Sequence, residues 1–280
     1  MTQRDFQRYY ASEQYLLPAD KVETERLNIQ HGTIVKAFGN KLSLIPIDLI
    51  SGDRVLESAA GTGIWALEFF ESNKKNGVLL DIQCSDISDR QFLGSPSPNI
   101  HFSLHSVTDF PAGWSDTFTF AHQRFIVGAL TETLWRQAVG ELFRVLSPGG
   151  WLELVEMDLQ NWLFDVGPSS NKLRSIMMTL YAESGVIVDL PDYLPRLLKE
   201  VGFLDVQCEV RAVPLGSKQG YRSEEFGELC RGFTGPMLRA GLVGTEAEYE
   251  DILQGSVQEW DLNSLSKPSI GCCTILARKP

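Results

Sequence analysis

Residues 55–65 read Val-Leu-Glu-Ser-Ala-Ala-Gly-Thr-Gly-Ile-Trp, and no other stretch narrows the possible folds of this chain as far. An apolar pair, Val55 and Leu56, ends in the acid Glu57; small residues follow, then Gly61-Thr62-Gly63, then an apolar helix start. The order predicts a buried strand over about Asp53–Ser58 that turns tightly into a helix over about Gly63–Ser72. Gly61 and Gly63 lack a Cβ, so the backbone there can take left-handed angles and a ligand can lie against it. The helix start presents unpaired N–H groups, a cradle for an oxygen-rich ligand. A strand, glycine loop and helix at the head of an α/β domain form a nucleoside-cofactor site.

The flanking sequence extends the same architecture. Leu27, His31, Ile34 and Phe38 recur at helical spacing, predicting an amphipathic helix with something to cover. Further strands are predicted at Val78–Ser85, Ile100–Leu104, Thr117–His122 and Trp151–Met157. A helix from about Leu130 to Leu146, with Leu130, Leu134, Ala138, Leu142 and Leu146 as its buried stripe, stops at Pro148-Gly149-Gly150. The C-terminal third changes rhythm. Helices are predicted at Ser169–Gly185 and Tyr193–Val201, a strand over Gly202–Pro214, a mostly helical stretch over Gly220–Trp260 and a last strand over Ile270–Ala277.

This alternation implies a doubly wound, mostly parallel seven-stranded sheet. Its ligand crevice lies at the carboxyl ends of the strands, where Glu57, Asp86 and His122 all fall. One domain is expected: residues 1–50 as an N-terminal helical lid, 51–158 as the cofactor-binding core, and 159–280 as substrate-capping helices and the last strands.

Two cofactors compete for such a loop. A dinucleotide site uses G-x-G-x-x-G, so that the pyrophosphate sits on the helix N-terminus. Here the pattern is Ala59-x-Gly61-x-Gly63 with Glu57 closing the strand. A carboxylate at that point repels a pyrophosphate and suits a ligand carrying an ammonium and a sulfonium. Asp86, at the end of the next strand, is placed to grip both ribose hydroxyls. An acid there fits either cofactor, but the loop pattern favours S-adenosylmethionine.

The segment Val55–Trp65 resembles the glycine-rich motif of class I S-adenosylmethionine-dependent methyltransferases, and Asp86 matches the acid after their second strand. Ser147-Pro148-Gly149-Gly150-Trp151 is similar to their turn before strand five. The run Tyr15-Leu16-Leu17-Pro18-Ala19-Asp20, with Glu25-Arg26-Leu27, Gln30-His31 and the ending Ile275–Pro280, resembles fungal secondary-metabolism methyltransferases, the group that includes the velvet-complex regulator. The resemblance implies that Tyr15 is a lid tyrosine approaching the cofactor, that Ile87 packs on the adenine, and that Ser106 and Val107 border its edge. The chain departs from the family pattern at two points. Leu104-His105-Ser106 stands where an acid is usual, and Ala59 replaces the first loop glycine.

Composition excludes several other classes. The 280 residues are 43% hydrophobic, enough for a large core, and the net charge is −11. Nucleic-acid binding needs a positive footprint, and none is present beyond short runs such as Lys74-Lys75. The same charge disfavours anionic membranes. No stretch reaches ~18 uncharged apolar residues, and the N-terminal residues lack an apolar leader core. The five cysteines show no C-x-x-C spacing, so neither a zinc site nor a disulfide framework is expected. A cytoplasmic protein is expected, either monomer or homodimer.

Methyl transfer is an in-line displacement, and positioning in a dry pocket supplies much of the acceleration. A base helps where a proton must leave, by roughly 10²–10⁴-fold. His122, in Ala121-His122-Gln123-Arg124, is a candidate base or cofactor contact; His31, on the face of Leu27 and Ile34, is a second candidate base. Glu156 and Asp158 finish strand five, but two acids on one strand do not make a divalent-metal site, and no metal is expected. Cofactor contacts are expected from Tyr15, Glu57, Ala59, Gly61, Gly63, Asp86, Ile87, Ser106, Val107 and His122. The expected activity is S-adenosylmethionine-dependent O-methylation of a small natural product. The alternatives are a regulatory methyltransferase-like protein working through protein partners, and a cofactor-bound cyclase or rearrangement catalyst.

Overall fold

The computed structural model describes residues 16–94, 97–216, 220–262 and 268–280. Seven strands, β1 (Arg54–Ser58), β2 (Asp81–Asp86), β3 (Ile100–Leu104), β4 (Phe118–Arg124), β5 (Leu146–Leu163), β6 (Leu204–Pro214) and β7 (Ser269–Arg278), form one sheet. Its order is β3-β2-β1-β4-β5-β7-β6. The pairs from β3 through β5 are parallel, and β7 runs antiparallel to both its neighbours. The sheet grows outward from β1 in one direction and then resumes at β4 in the other. The crevice outside the carboxyl ends of β1 and β4 is therefore the topological switch point, where open α/β sheets bind ligands.

Central strands in such a sheet are covered on both faces and read as continuous apolar runs. Residues Trp151–Leu159 of β5 are buried without interruption, and Val55 and Leu56 of β1 are fully buried. Helix α2 (Ile64–Lys75) covers one face with Trp65, Phe69 and Phe70. Helix α3 (Glu132–Val145) covers the other, and of the expected stripe Leu130, Ala138, Leu142 and Leu146 are buried while Leu134 is not. Trp135, Ala138, Val139, Leu142 and Val145 face the core, and Leu134 turns toward the crevice. A strict spacing of four drifts around a helix of 3.6 residues per turn, whereas steps of three and four together hold one face.

Helix α1 (Lys21–Ala37) precedes the sheet, and Asp20 caps it by accepting a 3.0 Å hydrogen bond from Glu23 N. Helices α4 (Pro168–Glu183) and α5 (Leu190–Val201) join β5 to β6. Helices α6 (Ser223–Arg231), α7 (Thr234–Arg239) and α8 (Glu246–Leu262) are inserted between β6 and β7. The insertion is tied to α4 by Glu259 of α8, whose carboxylate accepts from Ser169 N and Ser170 N at 2.8 Å each. Trp260 Nε1 donates to Phe164 O at 2.8 Å, inside an aromatic cluster with Trp162 and Phe226. Helix α1 packs on α6, so the N-terminal helix and the insertion meet above the crevice. Among the described residues, no helix is long and apolar enough to cross a membrane.

Candidate functional site

The loop after β1 takes left-handed angles at alternate positions: Ala59 has φ 52°, Gly61 φ 56° and Gly63 φ 78°. Glycine meets this geometry at no steric cost, whereas Ala59 carries a Cβ there at a cost of about 1–2 kcal/mol. The glycines are also needed for space. A Cβ on Gly63 would lie 2.6 Å from the Phe102 ring, and one on Gly61 would lie 3.2 Å from Leu27 Cδ1.

Asp86, the last residue of β2, fixes the loop from the neighbouring strand. Its Oδ2 accepts from Gly61 N at 2.8 Å, and its Oδ1 accepts from Ser88 N at 3.2 Å. Burial pushes its carboxyl above the usual carboxylate range, and the N–H groups of Gly61, Ser88 and Ile87 oppose that shift. The acid is held in one orientation beside the loop.

A cavity of about 420 Å³ opens from this point. Ala59, Gly61, Asp86, Ile87, Ser106 and Val107 all line it, so six of the residues expected to hold the cofactor come together. Ile87 is exposed at the rim, and Ser106 Oγ is hydrogen-bonded to Thr108 Oγ1 at 2.8 Å. The opposite end of the cavity is apolar, with Ile126, Met157, Trp162, Tyr181 and Phe233 among its walls. Burial pushes the Tyr181 hydroxyl well above its ordinary range, so it stays protonated at neutral pH.

The other expected residues lie elsewhere. Gly63 is the N-cap of α2, against Phe102 rather than the cavity. Tyr15 lies outside the described residues. Glu57 and His122 are both sealed below the loop, with Glu57 Oε2 2.6 Å from His122 Nδ1. They are cross-strand neighbours, and Glu153 follows in the same row on β5. The His122 ring lies flat on Trp65, with centroids 3.8 Å apart and planes at 4°. Burial, aided by the charge of Arg124 and opposed by Glu153, lowers His122 to about 3. Burial likewise raises Glu57 well above its ordinary value, against the pull of Arg124. A neutral imidazole outside the cavity lining is not placed to take an acceptor's proton, contrary to the expected base.

His31 is also away from the cavity. Its Nε2 stands 2.9 Å from Glu68 Oε2 but off the line of a good hydrogen bond, and the ring is buried. Burial, with the Arg124 charge, holds its pKa below the ordinary value. The acids of β5 turn away too, because a strand sends alternate side chains to opposite faces. Met157 and Leu159 reach the cavity, whereas Glu156 accepts from Ile126 N and Val127 N at 3.1 Å each, and Asp158 accepts from Asn161.

Two arginines of the cavity carry no expected role. Arg26 on α1 is engaged by Glu23 through two hydrogen bonds, of 2.8 and 2.6 Å, and donates to Gln30. Arg124 ends β4, two residues after His122, and borders the cavity beside the loop. Its sequence signal was an arginine at a strand's carboxyl end, which does not reveal which way the guanidinium extends.

Residues 29–207 match the family described as "Methyltransferase domain". The chain is 37% identical over 213 residues to the N-methyltransferase sirN of Leptosphaeria maculans, covering 74% of this chain and 72% of that relative. It is 28% identical over 229 residues to the N-methyltransferase gliN of Aspergillus fumigatus, covering 78% and 77%. Among solved structures, the YcgJ protein of Bacillus subtilis shares the fold with a TM-score of 0.57 at 17% identity, over 87% of this chain and 97% of that one.

Proposed function

This chain belongs to the methyltransferase domain family, and on that basis we propose that it methylates a neutral nitrogen of a small, largely apolar natural product. S-adenosylmethionine is the methyl donor. When bound, it supplies an electrophilic methyl group on a sulfonium.

The residues of the cavity fit that donor. Asp86 retains acceptor capacity beyond its backbone partners, and its carboxylate suits a pair of ribose hydroxyls. The Gly61 backbone leaves room for a ligand against the loop, since no side chain projects from it. Ile87 offers an apolar face for the adenine, and Ser106 and Val107 border the same end. The walls formed by Trp162, Tyr181 and Phe233 would exclude water from the acceptor.

One observation carries the choice of nitrogen over the oxygen expected from sequence. Among the described residues, the ionisable side chains lining the cavity are Arg26, Asp86, His105, Arg124 and Tyr181. Asp86 and His105 belong to the nucleoside end, and a protonated tyrosine is the ionisable group among the apolar walls. A hydroxyl acceptor needs a base to remove its proton, whereas a neutral nitrogen attacks through its lone pair and loses its proton afterwards. The names of sirN and gliN agree with this reading. The cysteines, Cys84, Cys208, Cys230, Cys272 and Cys273, are free thiols, which suits a reducing cytoplasm.

The test is incubation of purified protein with methyl-labelled S-adenosylmethionine and a metabolite extract, followed by mass spectrometry and carbon NMR of the labelled methyl. An N-methyl product is expected. An O-methyl product would overturn the choice of nitrogen, and a cofactor-dependent product without a new methyl group would overturn methyl transfer itself.

A further inference from the structure

Among the described residues, no hydrogen bond or ion pair engages the Arg124 guanidinium, although its charge is felt by Glu57, His122 and His31. A guanidinium carries five N–H donors in a planar fork and stays charged in proteins. At the cavity lining, with no protein acceptor engaging it, the guanidinium is placed to take an anionic ligand. Arg26, the other arginine of the cavity, is already matched by Glu23 and Gln30.

The placement of Arg124 restricts what that partner is. Ser58 pairs with Gln123 across β1 and β4, so Arg124 stands one residue beyond that pairing, beside the glycine loop. Asp86 marks the nucleoside end of the cavity, and Trp162, Tyr181 and Phe233 make the other end apolar. A donor whose ribose lies at Asp86 and whose chain passes the loop brings its amino-acid end to the β4 terminus.

We infer that Arg124 binds the α-carboxylate of the methyl donor and so sets the depth at which the sulfonium stops in the cavity. The inference rests on the donor assignment made above. The carboxylate and guanidinium match as two parallel N–H···O bonds, a geometry that lysine cannot reproduce. Glu57, beneath the loop and bonded to His122, leaves the guanidinium free to face the ligand.

Calorimetric titration with two probes tests this without knowledge of the acceptor. S-adenosylhomocysteine carries the carboxylate; 5′-methylthioadenosine shares its adenosine and thioether but lacks it. Arg124→Gln should weaken S-adenosylhomocysteine by about 10- to 100-fold and leave 5′-methylthioadenosine unchanged. Arg124→Lys should fall between the parent and Arg124→Gln. Unchanged binding of S-adenosylhomocysteine by Arg124→Gln would overturn the proposal, as would equal loss of both probes, which marks a structural role. If the parent protein bound neither probe, the donor assignment would fall first and the role of Arg124 with it.

Discussion

Glu57 Oε2 and His122 Nδ1, 2.6 Å apart, join the ends of β1 and β4 beneath the glycine loop, and Trp65 seals the imidazole from the other side. The contact therefore supports the loop and lies outside the lining of the main cavity. His122→Ala should lose about 1–3 kcal/mol of stability, because Glu57 is left buried without its partner. Its kcat at saturating donor should stay within a few-fold of the parent, with an unmoved pH profile. A 10²–10⁴-fold fall in kcat with loss of one limb of that profile would restore His122 as the base.

Asp86 binds the loop as well as facing the cavity, so its removal should act twice. Asp86→Ala is expected to weaken S-adenosylhomocysteine by at least about tenfold and to lower the denaturation midpoint of the unliganded protein. Calorimetry and urea unfolding measure the two effects separately. Parent-like affinity in the variant would remove Asp86 from the donor site.

Gly63→Ala meets both a left-handed φ of 78° and the Phe102 ring at 2.6 Å. A loss of about 2–4 kcal/mol is expected from backbone strain and overpacking together. Urea denaturation reads it directly. A parent-like midpoint would show that the loop and Phe102 yield freely.

Glu156 makes the stability of the fold depend on pH. It is fully buried and raised to about 8 by burial, despite the N–H groups of Ile126 and Val127. Its unfolded value is near 4.5, so between about 4.5 and 8 the folded state holds a proton that the unfolded state has released. Its contribution to stability is thus complete below 4.5 and is lost as pH rises toward 8, with a limiting slope of about 1.4 kcal/mol per pH unit. Glu156→Gln should flatten that part of the stability profile, measured by urea unfolding from pH 5 to 8.5. An unchanged slope would assign the dependence to other groups.

Glu259 holds the insertion to the start of α4 through Ser169 N, Ser170 N and Ser170 Oγ. Glu259→Ala uncaps that helix and should cost about 1–2 kcal/mol. A weaker apparent affinity for the acceptor should accompany it, because α4 carries Tyr181. Thermal unfolding and a KM measurement check the pair.

The loop was legible because glycine spacing and strand-end acids are local signals. Asp86 and Gly61 thus fell where sequence put them. The start of β2 was not legible: Val78–Leu80 looks like strand, but Leu79 is held irregularly, its O accepting from Gly52 N and its N donating to Ser51 Oγ. The site residues of β4 show the same limit. Sequence places His122 and Arg124 near a strand end. It does not say that one ring is clamped by Trp65 while the next side chain but one borders the cavity, because both depend on packing from α2. The C-terminal helices were visible as helices, yet their contribution of Trp162, Tyr181 and Phe233 to one wall needs the fold.

Strand β7 lies between β5 and β6 although it is the last of the seven to leave the ribosome. Until it emerges, β6 has no partner in the sheet and β5 presents an open edge. Much of the pairing at this end is therefore long-range and slow to form. The nascent chain carries its glycine loop early, whereas the sheet behind the apolar end of the cavity is complete only after β7 slots in. Stalled synthesis between α8 and β7 would expose two unpaired strand edges, a state prone to edge-to-edge association.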